Sequence, residues 1–392
     1  MYVLLTTFPQ GGSGNVGDKL IEQSVKALVT REKGACEFFT IFREAPLEPH
    51  LARVNAARAV LMPAFPVRDT PMYPGTYRLV EDLSQIRVPL VPIGANWNVY
   101  PGDAVSRSRV RYSPQTTAFL RRVAGQVVQF SCREYFTCRV LARHGVENTL
   151  MTGDPAWYDL ASLGKPMRRP RRVEKLVFSP PLSPYYARQA EQVIEMLAEL
   201  FPRAEKYCSM HLADLDTAGE EGPEAAENSA ALTPAVTQKN RRIRAHAQAH
   251  GFEIRQVSGD LARTRFYEEC DLHVGYECHS HLAFLSQRIP SVLIAEDARG
   301  VGFNYTLGVG GFEGFVRCQA PPAEPVRKTI TSGYCTTLAE YSVAPARVDV
   351  HAALRGFIQE ELASGFRRYL GLSSYIDELY EQVMRPFIRS IP

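Results

Sequence analysis

Apolar runs of two lengths alternate along this chain, and their spacing defines its elements. Residues 1–7 (MYVLLTT) form a short unbroken apolar run, the signature of a buried strand. After the loop 8–18 (FPQGGSGNVGD), KLIEQSVKALVTREKG puts Ile21, Val25 and Leu28 on one helical face and stops at Gly34. Asp18 is the expected N-cap of that helix. Further strands are expected at Ala59–Met62, Val88–Ile93, Val127–Phe130 and Thr149–Met151, and helices at Thr116–Val123 and Phe136–His144. Strands that alternate with helices imply an α/β fold with a mostly parallel sheet.

At 165–175 the chain reads KPMRRPRRVEK, a proline- and arginine-rich linker. A second α/β series follows. Its expected strands are Leu176–Ser179, Tyr207–Leu212, Phe252–Val257, Asp271–Tyr276 and Ser291–Ala295. Its expected helices are Pro184–Leu200, Lys239–His250, Ala262–Cys270 and His279–Arg288. Residues 213–234, rich in Ala, Glu, Gly and Asp, read as a mobile insertion, and two or three helices occupy roughly 346–387. The organisation expected is a Rossmann-like domain at 1–165, a linker at 166–176, a second Rossmann-like domain at 177–340 and C-terminal helices at 341–392. The spacing of Ile358, Leu362, Phe366 and Leu370 points to packing back onto the first domain. Two such domains in tandem enclose a cleft at the C-terminal ends of their strands, where helix N-termini offer free N–H groups.

Composition narrows the function classes. The 392 residues are 45% apolar and 22% charged, which excludes a disordered or fibrous chain. Lys plus Arg number 45 and Asp plus Glu 42, a formal net charge of +3, so nucleic-acid binding is not expected. No signal peptide or membrane-spanning run is evident. Eight scattered cysteines without a C-x-x-C pair suggest reduced thiols in a cytoplasmic protein, with neither a disulfide framework nor a metal site.

Four loops carry candidate chemistry. Gly14-Asn15-Val16-Gly17-Asp18 sits between a strand and a helix, where the helix dipole favours an anionic or hydroxyl-rich ligand; a plain capped turn has the same pattern. Arg133 follows a strand and could clamp a carboxylate or phosphate, or pair with Glu134 in a structural salt bridge. Gly153-Asp154-Pro155 would hold Asp154 at the cleft edge, to orient a sugar hydroxyl or simply bond its own backbone. His279, where a strand gives way to a helix, could act as acid or base, with Glu277 stabilising its imidazolium, or merely start the helix. His281 reads as a packing residue, and a metal held by Glu277, His279 and His281 lacks the H-x-x-x-H spacing. Arg299, after the next strand, would be a second cation in the same cleft.

In this order the loops resemble the polysaccharide pyruvyl transferase family, whose pattern is G-N-x-G-D, V-R-E before a helix, G-D-P, R-L-H before a helix and G-V-P-V, then D-x-K. The matches are Gly14, Asn15, Gly17 and Asp18; Arg133 and Glu134; Gly153, Asp154 and Pro155; His279 with Ile289-Pro290; and Asp297 with Arg299. The resemblance runs from about residue 10 to about 315. It implies two Rossmann-like domains of the GT-B type and transfer of a pyruvyl unit from phosphoenolpyruvate to sugar hydroxyls of a cell-surface glycan or its lipid-linked precursor. No cofactor is implied beyond that donor. Carried over, Arg133 and Arg299, with Asn15 and Gly17, would bind the donor, His279 would be the acid/base with Asp154 assisting, and Glu277 and Asp18 would modulate the site. A lipid-carried acceptor would make peripheral membrane contact sensible.

Two departures stand out. Glu277 replaces the family's arginine two residues before the histidine, and Leu61-Met62-Pro63-Ala64-Phe65 replaces an expected glycine-rich stretch. Arg299 keeps the charge of the usual lysine with a different hydrogen-bond geometry. The alternatives are donor binding through other arginines, such as those of 168–172, or a nucleotide-sugar donor on the same scaffold.

Overall fold

The computed structural model describes residues 1–7, 14–68, 72–211, 234–317 and 345–392; residues 8–13 of the first loop and 213–233 of the expected insertion lie outside them. The first half contains β1 (Tyr2–Thr6), α1 (Val16–Lys33), β2 (Phe38–Phe42), α2 (Leu51–Asn55), β3 (Val60–Pro63), β4 (Pro66–Val67), β5 (Leu90–Ile93), β6 (Asn96–Trp97), α3 (Ala104–Arg109), α4 (Pro114–Ala124), β7 (Phe130–Cys132), α5 (Tyr135–Arg143) and β8 (Thr149–Met151). The second contains β9 (Lys175–Ser179), α6 (Ala187–Leu200), β10 (Glu205–Met210), α7 (Pro234–Ala249), β11 (Phe252–Gln256), β12 (Leu272–Gly275), α8 (Cys278–Ser286), β13 (Ser291–Ala295), α9 (Ala298–Leu307) and β14 (Gly311–Glu313). Helices α10 (Val350–Ser364), α11 (Leu370–Leu379) and α12 (Arg385–Ser390) close the chain.

Every strand pair is parallel. The first sheet runs β2-β1-β3-β5, and a bridge from Ala95 to Cys132 continues it to the β7-β8 pair. The second sheet runs β11-β10-β9-β12-β13-β14, the Rossmann order. Its order reverses between β9 and β12, and that of the first sheet between β1 and β3. Ligands bind open α/β sheets beside such reversal points, outside the strands' C-terminal ends. The central strands β1, β3, β5 and β13 are buried throughout, as strands covered on both faces must be. One continuous apolar cluster includes Tyr2, Leu28 and Trp157 of the first half, Leu282 and Phe303 of the second, and Ile388 near the end, so the halves share a core.

Several expectations are corrected. The strand expected at Val127–Phe130 is β7, shifted to Phe130–Cys132; Val128 is 74% exposed, leaving the earlier apolar residues in a turn. Pro184–Tyr186 and Leu261–Glu269 form three-ten rather than α-helical turns. β2, β14 and α9 were not anticipated; β2 is a partly exposed edge strand whose burial does not alternate cleanly. Ile358 and Phe366 are buried, but α10 packs on α6, and Phe357 stands edge-on to Phe312 of β14, so this stripe faces the second half. The element that reaches the first half is α12. It packs on α1, where the buried Glu32 carboxylate accepts from Tyr380 Oη at 2.9 Å, Arg389 Nε at 2.7 Å and Arg385 Nε at 3.2 Å. Arg168 and Arg169 of the linker donate to the carbonyls of Glu268 and Gly365, which commits them to holding the linker down.

The six described cysteines are unpaired. Among the described residues no helix is long and apolar enough to cross a membrane.

Candidate active site

All the candidate loops lie at C-terminal strand ends. Helix α1 begins at Val16, earlier than expected, so its cap is Asn15 and not Asp18. Asn15 Oδ1 accepts from the Gly17 amide at 2.8 Å, and Asp18 sits in the first turn, where its charge complements the helix dipole. Gly17 lies directly against the second half: a Cβ there would stand 2.0 Å from His279 Cγ and Nδ1. Only glycine allows this approach. The Gly259 amide donates to the Gly14 carbonyl at 2.8 Å, a second bond between the same loop and the second half.

His279 opens α8 beyond β12. Glu277 caps that helix, accepting from the His279 amide at 3.2 Å, and its Oε1 lies 2.9 Å from His279 Nδ1. The carboxylate standing in the arginine's place is therefore turned onto its own neighbour. Burial works to raise the Glu277 carboxyl, but the His279 ring, His211 and Arg299 overcome this and hold it well below the usual carboxylate range. His281 points elsewhere: its Nδ1 bonds Ser291 Oγ at 2.7 Å, which removes it from any shared site with His279.

Arg133 is 2% exposed, and its Nη1 makes an ionic contact with Asp154 Oδ2 at 3.4 Å. Its Nε and Nη2 are buried with no hydrogen-bond partner among the described residues. The guanidinium lies 4.9 Å from the ring centroid of Phe303 on α9. Glu134 does not pair with it at the surface: it is buried and caps α5, accepting from the Phe136 and Thr137 amides at 2.6 and 2.9 Å. Asp154 does not reach the cleft edge. It is buried, its Oδ1 takes the Ala156 amide at 2.9 Å, and its other oxygen faces Arg133, which makes it a positioning residue.

Arg299 folds onto Asp297, the cap of α9, donating from Nε at 2.8 Å and from Nη2 at 2.5 Å to the same oxygen. It keeps 22% of its side chain exposed, so it can reach a ligand. Burial works against its charge, and Asp297 overcomes this. Beside it, Glu296 accepts from the Leu182 and Ser183 amides at 2.8 and 2.9 Å; burial and then Asp297 push its carboxyl up to about 7. Burial raises the Cys278 thiol at the start of α8, and the charges of Arg299 and Arg133 act on it in the opposite sense.

A further buried histidine lies behind the start of α8, outside the expected candidates. His211, at the end of β10, is buried; its Nε2 bonds Ser280 Oγ at 2.6 Å and Tyr267 Oη at 2.9 Å, while Nδ1 has no partner among the described residues. Burial lowers it to about 4 against the pull of Glu277. The available signal was its place at the end of an expected strand. A cavity of about 580 Å³ also runs along α1 and the 259–268 turns, lined by Lys19, Gln23, Asp260, Arg265 and Glu268, apart from the candidate residues.

Comparison with known proteins adds to this geometry. No curated protein matches the sequence. Among solved structures, UDP-GlcNAc 2-epimerase from Neisseria meningitidis bound to UDP-GlcNAc is similar at 9% identity, covering 99% of this chain and 100% of that one, with a TM-score of 0.50. S. aureus MnaA with UDP is similar at 11% identity, covering 100% and 98%, with a TM-score of 0.49. The Anabaena protein HepE with UDP and glucose is similar at 12% identity, covering 98% and 99%, with a TM-score of 0.43. The fold is accordingly GT-B-like, two Rossmann-type halves followed by C-terminal helices. The family model for polysaccharide pyruvyl transferase matches residues 65–298, a span that holds Arg133, Asp154, Glu277 and His279 but begins after the Gly14–Asp18 loop. With more than half of its length matched, the chain belongs to the polysaccharide pyruvyl transferase family.

Proposed function

We propose that this protein transfers the pyruvyl unit of phosphoenolpyruvate to hydroxyls of a glycan or of its lipid-linked precursor. The observation that carries the reading is Arg133, a buried guanidinium with two of its three nitrogens unpartnered among the described residues. Leaving buried charged donors unmet is costly, and an anionic ligand is what meets them. Phosphoenolpyruvate brings a carboxylate and a phosphate, matching Arg133 and the partly exposed Arg299.

The chemistry needs three things: protonation of the donor methylene, attack of a sugar oxygen on the central carbon, and stabilisation of the departing phosphate. In a ketal product two hydroxyls add; one proton ends on the new methyl group and the other leaves with the phosphate. His279 is the acid/base in this scheme. The Glu277 contact at Nδ1 orients the ring and leaves Nε2 to face substrate. Asp154 aims Arg133, and Asn15 shapes the loop that brings Gly17 against His279.

A nucleotide-sugar donor is the second reading. It is favoured by Glu277, an acid where the family resemblance places a donor-binding arginine, and it is what the similar epimerase holds. Thermal-shift titration separates the two. Saturable stabilisation by phosphoenolpyruvate, weakened at least tenfold in Arg133→Lys and Arg299→Ala, is expected, with pyruvyl transfer abolished in His279→Ala. A response to UDP, GDP or CMP with none to phosphoenolpyruvate would overturn it.

A further inference from the structure

Away from the cleft, α6 and α7 pack side by side and meet through a ladder of charged groups. At one rung Glu191 is engaged by Arg242, whose Nη2 reaches Oε2 at 2.6 Å, and by Arg188 at 3.3 Å. Four residues further along both helices the carboxylate is Glu195, and the group facing it is not an arginine but His246, with His250 one turn beyond. His246 Nε2 stands 3.2 Å from Glu195 Oε1, is buried, and makes no hydrogen bond of good geometry among the described residues. The two imidazole rings lie with centroids 4.4 Å apart. Each of the three residues places a ligand atom within 4.8 Å of the other two.

We propose that Glu195, His246 and His250 form a binding site for a divalent transition-metal ion of the zinc class, clamping α6 to α7. The donor set is right for such an ion, two imidazoles and a carboxylate. Histidines four apart share one helix face, and the carboxylate comes from the neighbouring helix. Metal–ligand bonds of about 2.0–2.2 Å give tetrahedral ligand edges of roughly 3.3 Å. The Glu195–His246 separation is close to that value, and all three ligand atoms lie within 4.8 Å of one another. The second shell fits as well: His250 Nδ1 bonds the His246 carbonyl at 2.9 Å, which fixes the ring and leaves Nε2 free for a metal. Three protein ligands leave one position to water. The site is independent of the proposed reaction.

The test uses the full chain, stripped of metal and titrated with ZnCl2 by calorimetry and thermal shift, with MgCl2 as control. One equivalent of zinc should bind and raise Tm by a few °C, about what saturating a micromolar site supplies, and magnesium should do nothing. His246→Ala, His250→Ala and Glu195→Gln should each weaken zinc at least tenfold. Co2+ reports the wild-type protein directly: a visible d–d band without thiolate charge transfer is expected, lost in His246→Ala. Absence of saturable zinc binding, survival of full affinity in the double histidine variant, or a cobalt spectrum dominated by thiolate ligation would each overturn the proposal.

Discussion

Gly17 and His279 come from opposite halves of the chain, and the contact between them is the tightest constraint at the residue scale. Gly17→Ala would drive a methyl group into the imidazole. The ring can swing away, so the fold should survive, but His279 would leave its place beside Glu277. Pyruvyl transfer should fall about a hundredfold, the cost of roughly an ångström of misplacement, with Tm changed by only a few °C. Activity within twofold of wild type would show that the ring position does not matter. The sequence displayed both residues and their strand-end positions, because loops after strands can be read from apolar periodicity. It did not display their contact. Nor did it distinguish Asp154 as a buried anchor for Arg133 from a cleft-edge acid, since Gly-Asp-Pro has the same pattern either way. His211 stayed hidden because a histidine ending a strand has no motif around it. His246 and His250 did stand four apart on an expected helix, but their partner Glu195 lies on another helix and is identified only by packing.

At the scale of elements, two glycines inside helices test the packing from opposite directions. Gly302 of α9 lies against the cap of α5: a Cβ there would stand 2.6 Å from Glu134 Cγ and Cδ. Those atoms are buried and held by two backbone amides, so they cannot yield easily. Gly302→Ala should destabilise by about 1–3 kcal/mol through overpacking. Gly356 of α10 has nothing within 4 Å of its would-be Cβ, and Gly356→Ala should stabilise by about 0.5–1 kcal/mol through helix propensity. Urea unfolding at neutral pH measures both; an unchanged or raised stability in Gly302→Ala would refute the α9–α5 contact, and a lowered one in Gly356→Ala would refute the open space at α10. The long helices and central strands were legible because burial on one face imposes a period. The elements that were missed lacked one: β2 is a half-exposed edge strand, and α9 has a low amphipathic contrast because it is wedged between the two halves. In the stripe from Ile358, Ile358 and Phe366 are buried but Leu370 is 43% exposed, and the covering helix belongs to the second half, since periodicity names a face and not what covers it.

At the scale of the whole molecule, the second half carries an unusual density of buried histidine. His273 bridges Ser179 and Ser291, His281 bonds Ser291, and His211 bonds Ser280 and Tyr267. Burial lowers all three: His211 to about 4, His281 to about 3, and His273 well below the ordinary value. The folded state therefore excludes protons that the unfolded chain accepts below about pH 6.5. The stability these groups contribute is present above pH 6.5 and is lost as pH falls towards 4, each at up to about 1.4 kcal/mol per pH unit. Glu296 acts in the opposite sense. Its folded value of about 7 exceeds the unfolded 4.5, so its contribution is present below pH 4.5 and is lost as pH rises to 7. Three lowered histidines outweigh the two raised carboxyls, Glu296 and Glu134, between pH 4.5 and 6.5, so the net effect is destabilisation by acid. Between pH 6.5 and 7 Glu296 still titrates while these histidines are already neutral, which places the stability maximum close to neutrality. Melting curves from pH 4.5 to 7.5 should show Tm climbing to about pH 6.5 and then levelling or dipping slightly. In Glu296→Gln, which cannot ionise, the climb should steepen and the dip should vanish; a Tm that is flat or falls from pH 4.5 to 6.5 in the wild-type protein would mean that these histidines reach water in the folded state.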